Sequence, residues 1–156
     1  MTTQIKPAPV RKSVQVKAPP EHAFKVFTQD MGRWWPGSHH IGKSPFKDGI
    51  VEPREGGRWY EIGEDGSECE WGRVLAWEPP SRLLLAWQLT AKFSYDPDFV
   101  SELEIRFIAQ EGGGTRVELE HRLEAYASDA EAIRGQVDSP GGWTAILDLY
   151  AKAAEA

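Results

Sequence analysis

Few residues in this chain carry chemistry of their own; there are four histidines and one cysteine in 156 residues. His121 stands out. It lies in Thr115-Arg-Val-Glu-Leu-Glu-His-Arg-Leu123, where Val117, Leu119, His121 and Leu123 alternate with Arg116, Glu118, Glu120 and Arg122. That alternation predicts a strand with a dry face and a charged, solvated one. A histidine on the dry face has two uses. It offers a hydrogen bond or a proton to a bound molecule, or it is a buried ring paired with a backbone carbonyl or a carboxylate. Glu61 and Arg73 pose a similar choice. Facing inward, they fix the polar end of a guest; otherwise they pair with each other or face water.

Other reactive types point to less. His39-His40 sits in a loop, and adjacent residues of an extended chain point in different directions, so the pair is a poor two-ligand metal site. No CxxC, HxxxH or HExxH spacing occurs, and no metal is expected. Cys69 lies between Glu68 and Glu70, whose charges raise a thiol pKa and suppress the thiolate. There is no GxSxG nucleophile turn. Gly112-Gly-Gly114 joins two strands rather than a strand to a helix, so it is no dinucleotide site. No catalytic residue and no cofactor are assigned.

Tryptophan is the dominant signal. Seven occur, and four fall in three strand-like runs, Gly57–Ile62, Glu68–Trp77 and Arg82–Leu89. An indole is bulky and apolar, with one N–H that seeks a partner when buried. The set Trp34, Trp35, Trp59, Trp71, Trp87, Phe107, Trp143 and Tyr150 either fills a core or lines a cavity for an apolar guest. Alternation leaves the faces of Trp59 and Trp71 open. It puts Trp59 with Glu61, and Trp71 with Cys69 and Arg73.

The elements that position these residues are legible. Val10–Val16 reads as a strand ended by Ala18-Pro-Pro20, after a loose arm at residues 1–9. A short helix follows, with Ala23, Phe24 and Phe27 inward, then a second short helix or turn at 31–36. Residues 36–47 form a Gly/Ser/Pro/His loop; the segment 36–48 either connects or closes over a cavity mouth. Ile50-Val-Glu52 is a short strand. A meander runs from Gly56 to Gln110, with turns at Glu64-Asp-Gly66 and Glu78-Pro-Pro-Ser81. Leu83, Leu85, Trp87 and Leu89 share a face, as do Leu103, Ile105 and Phe107. Ser128-Asp-Ala-Glu131 matches a capping box. Asp138-Ser-Pro-Gly-Gly142 interrupts the helix, and Ser139-Pro140 starts a new one whose inward stripe is Trp143, Ile146, Leu147 and Tyr150. The order is strand, helix, short helix, about six strands, long helix. That is an α+β layer architecture.

Several strings resemble the activator of heat-shock-protein-90 ATPase homologue family of the START/SRPBCC, helix-grip superfamily. They are Gly56-Gly-Arg-Trp-Tyr-Glu61, Glu70-Trp-Gly-Arg-Val74, Trp77-Glu-Pro-Pro80, the Leu83–Trp87 strand, Gly142-Trp143 and the opening Val10–Phe27. The resemblance covers roughly residues 10–155 and implies a single START-like domain over 10–156. It implies a curved antiparallel sheet of about six or seven strands gripping the C-terminal helix, with an internal cavity that takes lipids or other apolar molecules. It implies no single activity. The eukaryotic co-chaperone that names the family also has a separate N-terminal domain, for which this chain has no room.

Composition excludes other classes. The net charge of −6 opposes binding to phosphate backbones or anionic membranes. No run of 18 apolar residues spans a bilayer, and the N-terminus has no signal-peptide core; a cytoplasmic protein is expected. A lone cysteine forms no internal disulfide. The leading expectation is non-catalytic binding of an apolar or amphipathic molecule, lipid-like or polyketide-like, in transport, sensing or stress response. The candidate lining is Trp34, Trp35, Trp59, Glu61, Trp71, Arg73, Trp87, Phe107, His121, Trp143, Ile146, Leu147 and Tyr150. Two rivals are a cyclase or hydrolase using an inward acid–base residue such as His121, and a chaperone cofactor or other protein-interaction module. Homodimerisation through aromatics such as Trp35 stays open.

Overall fold

The computed structural model describes residues 7–155. The chain order is β1 (Val10–Val16), α1 (Pro20–Gln29), α2 (Met31–Trp34), β2 (Phe46–Val51), β3 (Arg58–Gly63), β4 (Glu68–Glu78), β5 (Arg82–Trp87), β6 (Ser101–Ala109), β7 (Thr115–His121), a 3₁₀ turn (Glu124–Asp129), α3 (Ala130–Val137) and α4 (Trp143–Glu155). The expected arm at 1–9 lies mostly outside the described residues. Of it, Ala8 offers its carbonyl to the Arg134 guanidinium.

The seven strands form one antiparallel sheet in the order β1-β7-β6-β5-β4-β3-β2. The first two strands are therefore its opposite edges, and α1, α2 and the loop to β2 must cross one face to join them. Bulges in β2, β3–β4 and β4–β5 bend the strands, since an extra residue on one side kinks and twists a pair. The covered face carries the core, including Leu83, Leu85, Leu103, Ile105, Phe107, Val117 and Leu119. Helix α4 buries Trp143, Ile146, Leu147, Tyr150, Ala151 and Ala154, and the Tyr150 hydroxyl donates to the Ala23 carbonyl at 2.7 Å, tying α4 to α1. This is the helix-grip architecture. No helix among the described residues is long and apolar enough to cross a membrane.

Several local expectations need correction. Strand β2 starts at Phe46, earlier than alternation indicates, because a bulge after Phe46 and Gly49 break its period. The Ser128 capping box does not form: α3 starts at Ala130 with no side-chain cap, Ser128 belongs to the 3₁₀ turn, and Glu131 pairs with Arg134 instead. Ser139 starts no helix. Its hydroxyl donates back to the Gln136 carbonyl at 2.7 Å, and α4 begins at Trp143. Gly142 makes the sharp reversal possible, since a Cβ there would lie 2.2 Å from the Val137 carbonyl oxygen.

The charged outer face is also not uniformly solvated. Glu104 is only 3% exposed, enclosed by the guanidinium groups of Arg82, Arg106 and Arg122. Burial alone would raise its pKa, but hydrogen bonds and charge from Arg82 and Arg106 hold it below the usual glutamate range.

Candidate functional site: a tryptophan-walled cavity

Between β4–β5 and the start of α4 lies a cavity of about 340 Å³. Its apolar walls are Trp71 and Trp87 from the sheet, Trp143 and Ile146 from α4, Trp35 from the segment after α2, and Val137 from α3. Leu89 and Phe93, beyond β5, complete them. Its rim is polar: Ser38, His39 and His40 on one side, Gln136 and Ser139 on the other. The four indoles pack on each other, with ring centroids 4.9 Å apart for Trp35–Trp71, 5.5 Å for Trp87–Trp143 and 6.2 Å for Trp35–Trp143.

The bulge between β3 and β4 decides which side chains reach this wall. Trp59 pairs with Gly72 and Tyr60 with Glu70, leaving Trp71 as the extra residue. Trp71 turns inward, the period slips by one, and Arg73 becomes exposed while Val74 is buried. The alternation that put Arg73 on the face of Trp71 is thereby broken, and Arg73 does not line the cavity. Glycine is required at 72, because a Cβ there would sit 1.7 Å from the Ala86 carbonyl oxygen of the paired strand.

Glu61 does face inward, at 1% exposure, but it neither meets Arg73 nor reaches the cavity. Its carboxylate accepts the backbone N–H of Ile41 (2.6 Å), that of Gly42 (3.2 Å) and the Trp71 indole N–H (2.8 Å). A buried carboxylate is tolerated when several donors satisfy it. Here they pin the rim loop to the sheet. His39 fastens the same loop to the far rim: Nε2 donates to the Gly141 carbonyl at 2.8 Å, and Nδ1 lies 2.9 Å from the Ser38 hydroxyl. The backbone carbonyl of His39 accepts the Trp35 indole N–H at 2.8 Å. Part of the segment read as connector or closure thus forms a cavity wall. Cys69 packs nearby, and burial, followed by the charges of Glu61, Asp65 and Glu70, pushes its thiol pKa up.

His121 lies behind the cavity rather than in it. It is fully buried, with its ring 5.1 Å from that of Trp87 and 5.9 Å from that of Trp143. Its partners are neither a carbonyl nor a carboxylate. Trp143 Nε1–H donates to Nδ1 at 3.3 Å, so the neutral ring carries its proton on Nε2. That nitrogen donates to Ser101 Oγ at 3.2 Å, and Ser101 donates onward to the Trp87 carbonyl at 2.9 Å. Burial pushes the His121 pKa down to about 3. The ring orients two wall tryptophans. Beside it, Tyr126 donates to the Leu89 carbonyl at 2.7 Å, and burial pushes its phenol up to about 12.

Of the expected lining residues, Trp35, Trp71, Trp87, Trp143 and Ile146 meet at the cavity. Trp34, Trp59, Phe107, Leu147 and Tyr150 belong to the core. Trp34 donates to the Val26 carbonyl at 2.9 Å, and Trp59 points its N–H at Met31 Sδ at 3.3 Å. Missing from the sequence reading are Leu89, Phe93, Gln136 and Val137. Only Leu89 carried a signal, its place in the alternation of Leu83, Leu85 and Trp87. No group of acidic, histidine or cysteine side chains among the described residues is arranged to hold a metal.

The family model of the Activator of Hsp90 ATPase homolog 1-like protein matches residues 17–155. The chain belongs to that family. Members generally bind hydrophobic ligands. Among solved structures, the chain is 40% identical to an anthrahydroquino-γ-pyrone synthase, Txn09, with a TM-score of 0.66, covering 95% of this chain and 97% of that one. It is 33% identical to CalC, a self-sacrificing resistance protein from Micromonospora echinospora, with a TM-score of 0.71 and 94% of each chain covered. An Activator of Hsp90 ATPase homolog 1-like protein from Aeromonas hydrophila, 21% identical with a TM-score of 0.57 over 94% of this chain and 92% of that one, shares the fold. No curated protein matches the sequence.

Proposed function

We propose that this chain binds a flat, polycyclic aromatic molecule of the polyketide class in the tryptophan-walled cavity. The observation that carries the reading is the wall itself. Four indoles from three parts of the chain converge on a volume of about 340 Å³. That is at the small end of ligand pockets, which are apolar with a few placed polar groups. Flat rings gain from stacked and edge contacts with indoles, whereas an extended acyl chain needs a longer channel. One structural relative at 40% identity, an anthrahydroquino-γ-pyrone synthase, supports this ligand class over a lipid.

The identity to the synthase favours a second reading, in which the cavity holds a polyketide for ring closure. The polar side chains available to such chemistry are Ser38, His39, His40, Gln136 and Ser139 on the rim, and His121 is not among them. Binding precedes either role. The test is quenching of tryptophan fluorescence by 2-hydroxyanthraquinone and by palmitate. Saturable micromolar quenching by the quinone, weakened about tenfold in a Gln136→Trp variant that fills the rim, is expected. Absence of saturation, or an equal response to palmitate, would overturn the proposal.

A further inference from the structure

The rim holds one ring nitrogen that has no protein partner among the described residues. His40 lines the cavity, and its side chain is 26% exposed. Its Nδ1 lies 2.8 Å from the Gly42 carbonyl oxygen. A carbonyl only accepts, so Nδ1 must carry the hydrogen. In the neutral ring Nε2, the unpartnered nitrogen, is then a lone-pair acceptor. The neighbouring His39 differs, with both nitrogens engaged.

The orientation of His40 is held from behind. Gly42, which supplies the fixing carbonyl, has its own N–H bound by Glu61. The Glu61 carboxylate also approaches His40 Nδ1 at 4.0 Å. Nothing larger than glycine fits easily at 42, because a Cβ would lie 3.1 Å from both Cys69 Sγ and Glu61 Oε2. A buried peg, a tight glycine and a fixed tautomer therefore present an acceptor on a rim that otherwise borders an aromatic cavity.

We infer that His40 Nε2 accepts a hydrogen bond from a phenolic hydroxyl on the ligand, selecting hydroxylated polycycles over their O-alkylated or unsubstituted counterparts. This rests on the cavity being a polycycle site. It assigns the ligand a donor at the edge that meets the rim loop. A phenol suits the position because its oxygen lies in the plane of an aromatic ring held against the indole wall and carries a strong O–H donor.

The test compares 2-hydroxyanthraquinone with 2-methoxyanthraquinone, by fluorescence titration of the full chain. The 2-hydroxyl has no neighbouring carbonyl to bond internally. The hydroxy compound is expected to bind roughly tenfold more tightly, a hydrogen bond's worth. His40→Phe keeps a flat ring without the acceptor and should abolish that ratio by weakening only the hydroxy compound. His40→Gln restores an acceptor oxygen and should recover part of it. Comparing both compounds across both variants separates recognition from structure. Equal weakening of both compounds in His40→Phe, or an unchanged ratio, overturns the assignment. Binding of both compounds with no preference in the wild type also overturns it while leaving the cavity proposal standing. If neither compound binds, the cavity proposal falls with it.

Discussion

Burial of His121 makes a quantitative statement about stability and pH. In the folded chain its pKa is about 3, held down by desolvation, whereas an unfolded histidine titrates near 6.5. Between these values the unfolded chain binds a proton that the native chain refuses. Stability is therefore complete above about pH 6.5 and declines as pH falls, by about 1.4 kcal/mol per pH unit. From pH 7 to pH 5 the loss from this one ring is about 2 kcal/mol. That loss is the same for any folded pKa well below 5. Carboxylates held low in the fold, such as Glu104 and Glu120, pull in the same direction only near and below their ordinary range of about 4, so the interval from pH 5 to 7 isolates histidine. The perturbation is His121→Gln. Its amide oxygen can accept the Trp143 N–H and its NH₂ can donate to Ser101, with no proton to gain. Urea unfolding followed by tryptophan fluorescence should show the wild type losing about 2 kcal/mol more than the variant between pH 7 and pH 5. The remaining histidines are common to both chains and cancel. Parallel pH curves would refute the claim that the native ring stays neutral.

Two further outcomes follow from the same geometry. Glu61→Gln exchanges charge-assisted bonds to Ile41, Gly42 and Trp71 for weaker ones and turns an N–H toward an N–H. A loss of about 2 kcal/mol is expected, lowering Tm by about 6 °C in a chain of this size and increasing protease cutting in the rim loop; an unchanged Tm would show that the peg is dispensable. Gly72→Ala drives a Cβ into the Ala86 carbonyl oxygen, so the β4–β5 ladder must part at the cavity wall. It should cost about 3 kcal/mol or more, read as a shifted urea midpoint, and a midpoint within experimental scatter of wild type would contradict the close approach.

Alternation and helical spacing were enough to define the strands that carry Leu83–Trp87, Leu103–Phe107 and Val117–His121, because those segments pair without interruption and period 2 survives intact. The inward stripe of α4 was equally legible, since Trp143, Ile146, Leu147 and Tyr150 repeat at the helical period and all are buried. The ordered strings also gave the family, which the match over residues 17–155 shows. What alternation could not give was anything downstream of a bulge. The extra residue at Trp71 reverses the facing of Arg73, and no local feature of Glu70-Trp-Gly-Arg73 announces it.

Nor could the sequence sort tryptophans into wall and core. Trp34 and Trp35 are adjacent, yet one packs against Phe27 and Tyr150 and the other meets Trp71 and Trp143 at the cavity. The partners of the polar groups were hidden for the same reason. His121 finds an indole and a hydroxyl, each about 20 residues away along the chain. Glu61 finds backbone amides in a loop of no regular structure. Periodicity reports which side of its own strand a residue occupies, so the residue types, the elements and the dry faces were in the sequence alone. Which dry side chains touch one another, and which are left facing empty space, depends on how a bent sheet closes over a helix from another part of the chain, and only the tertiary structure decides that.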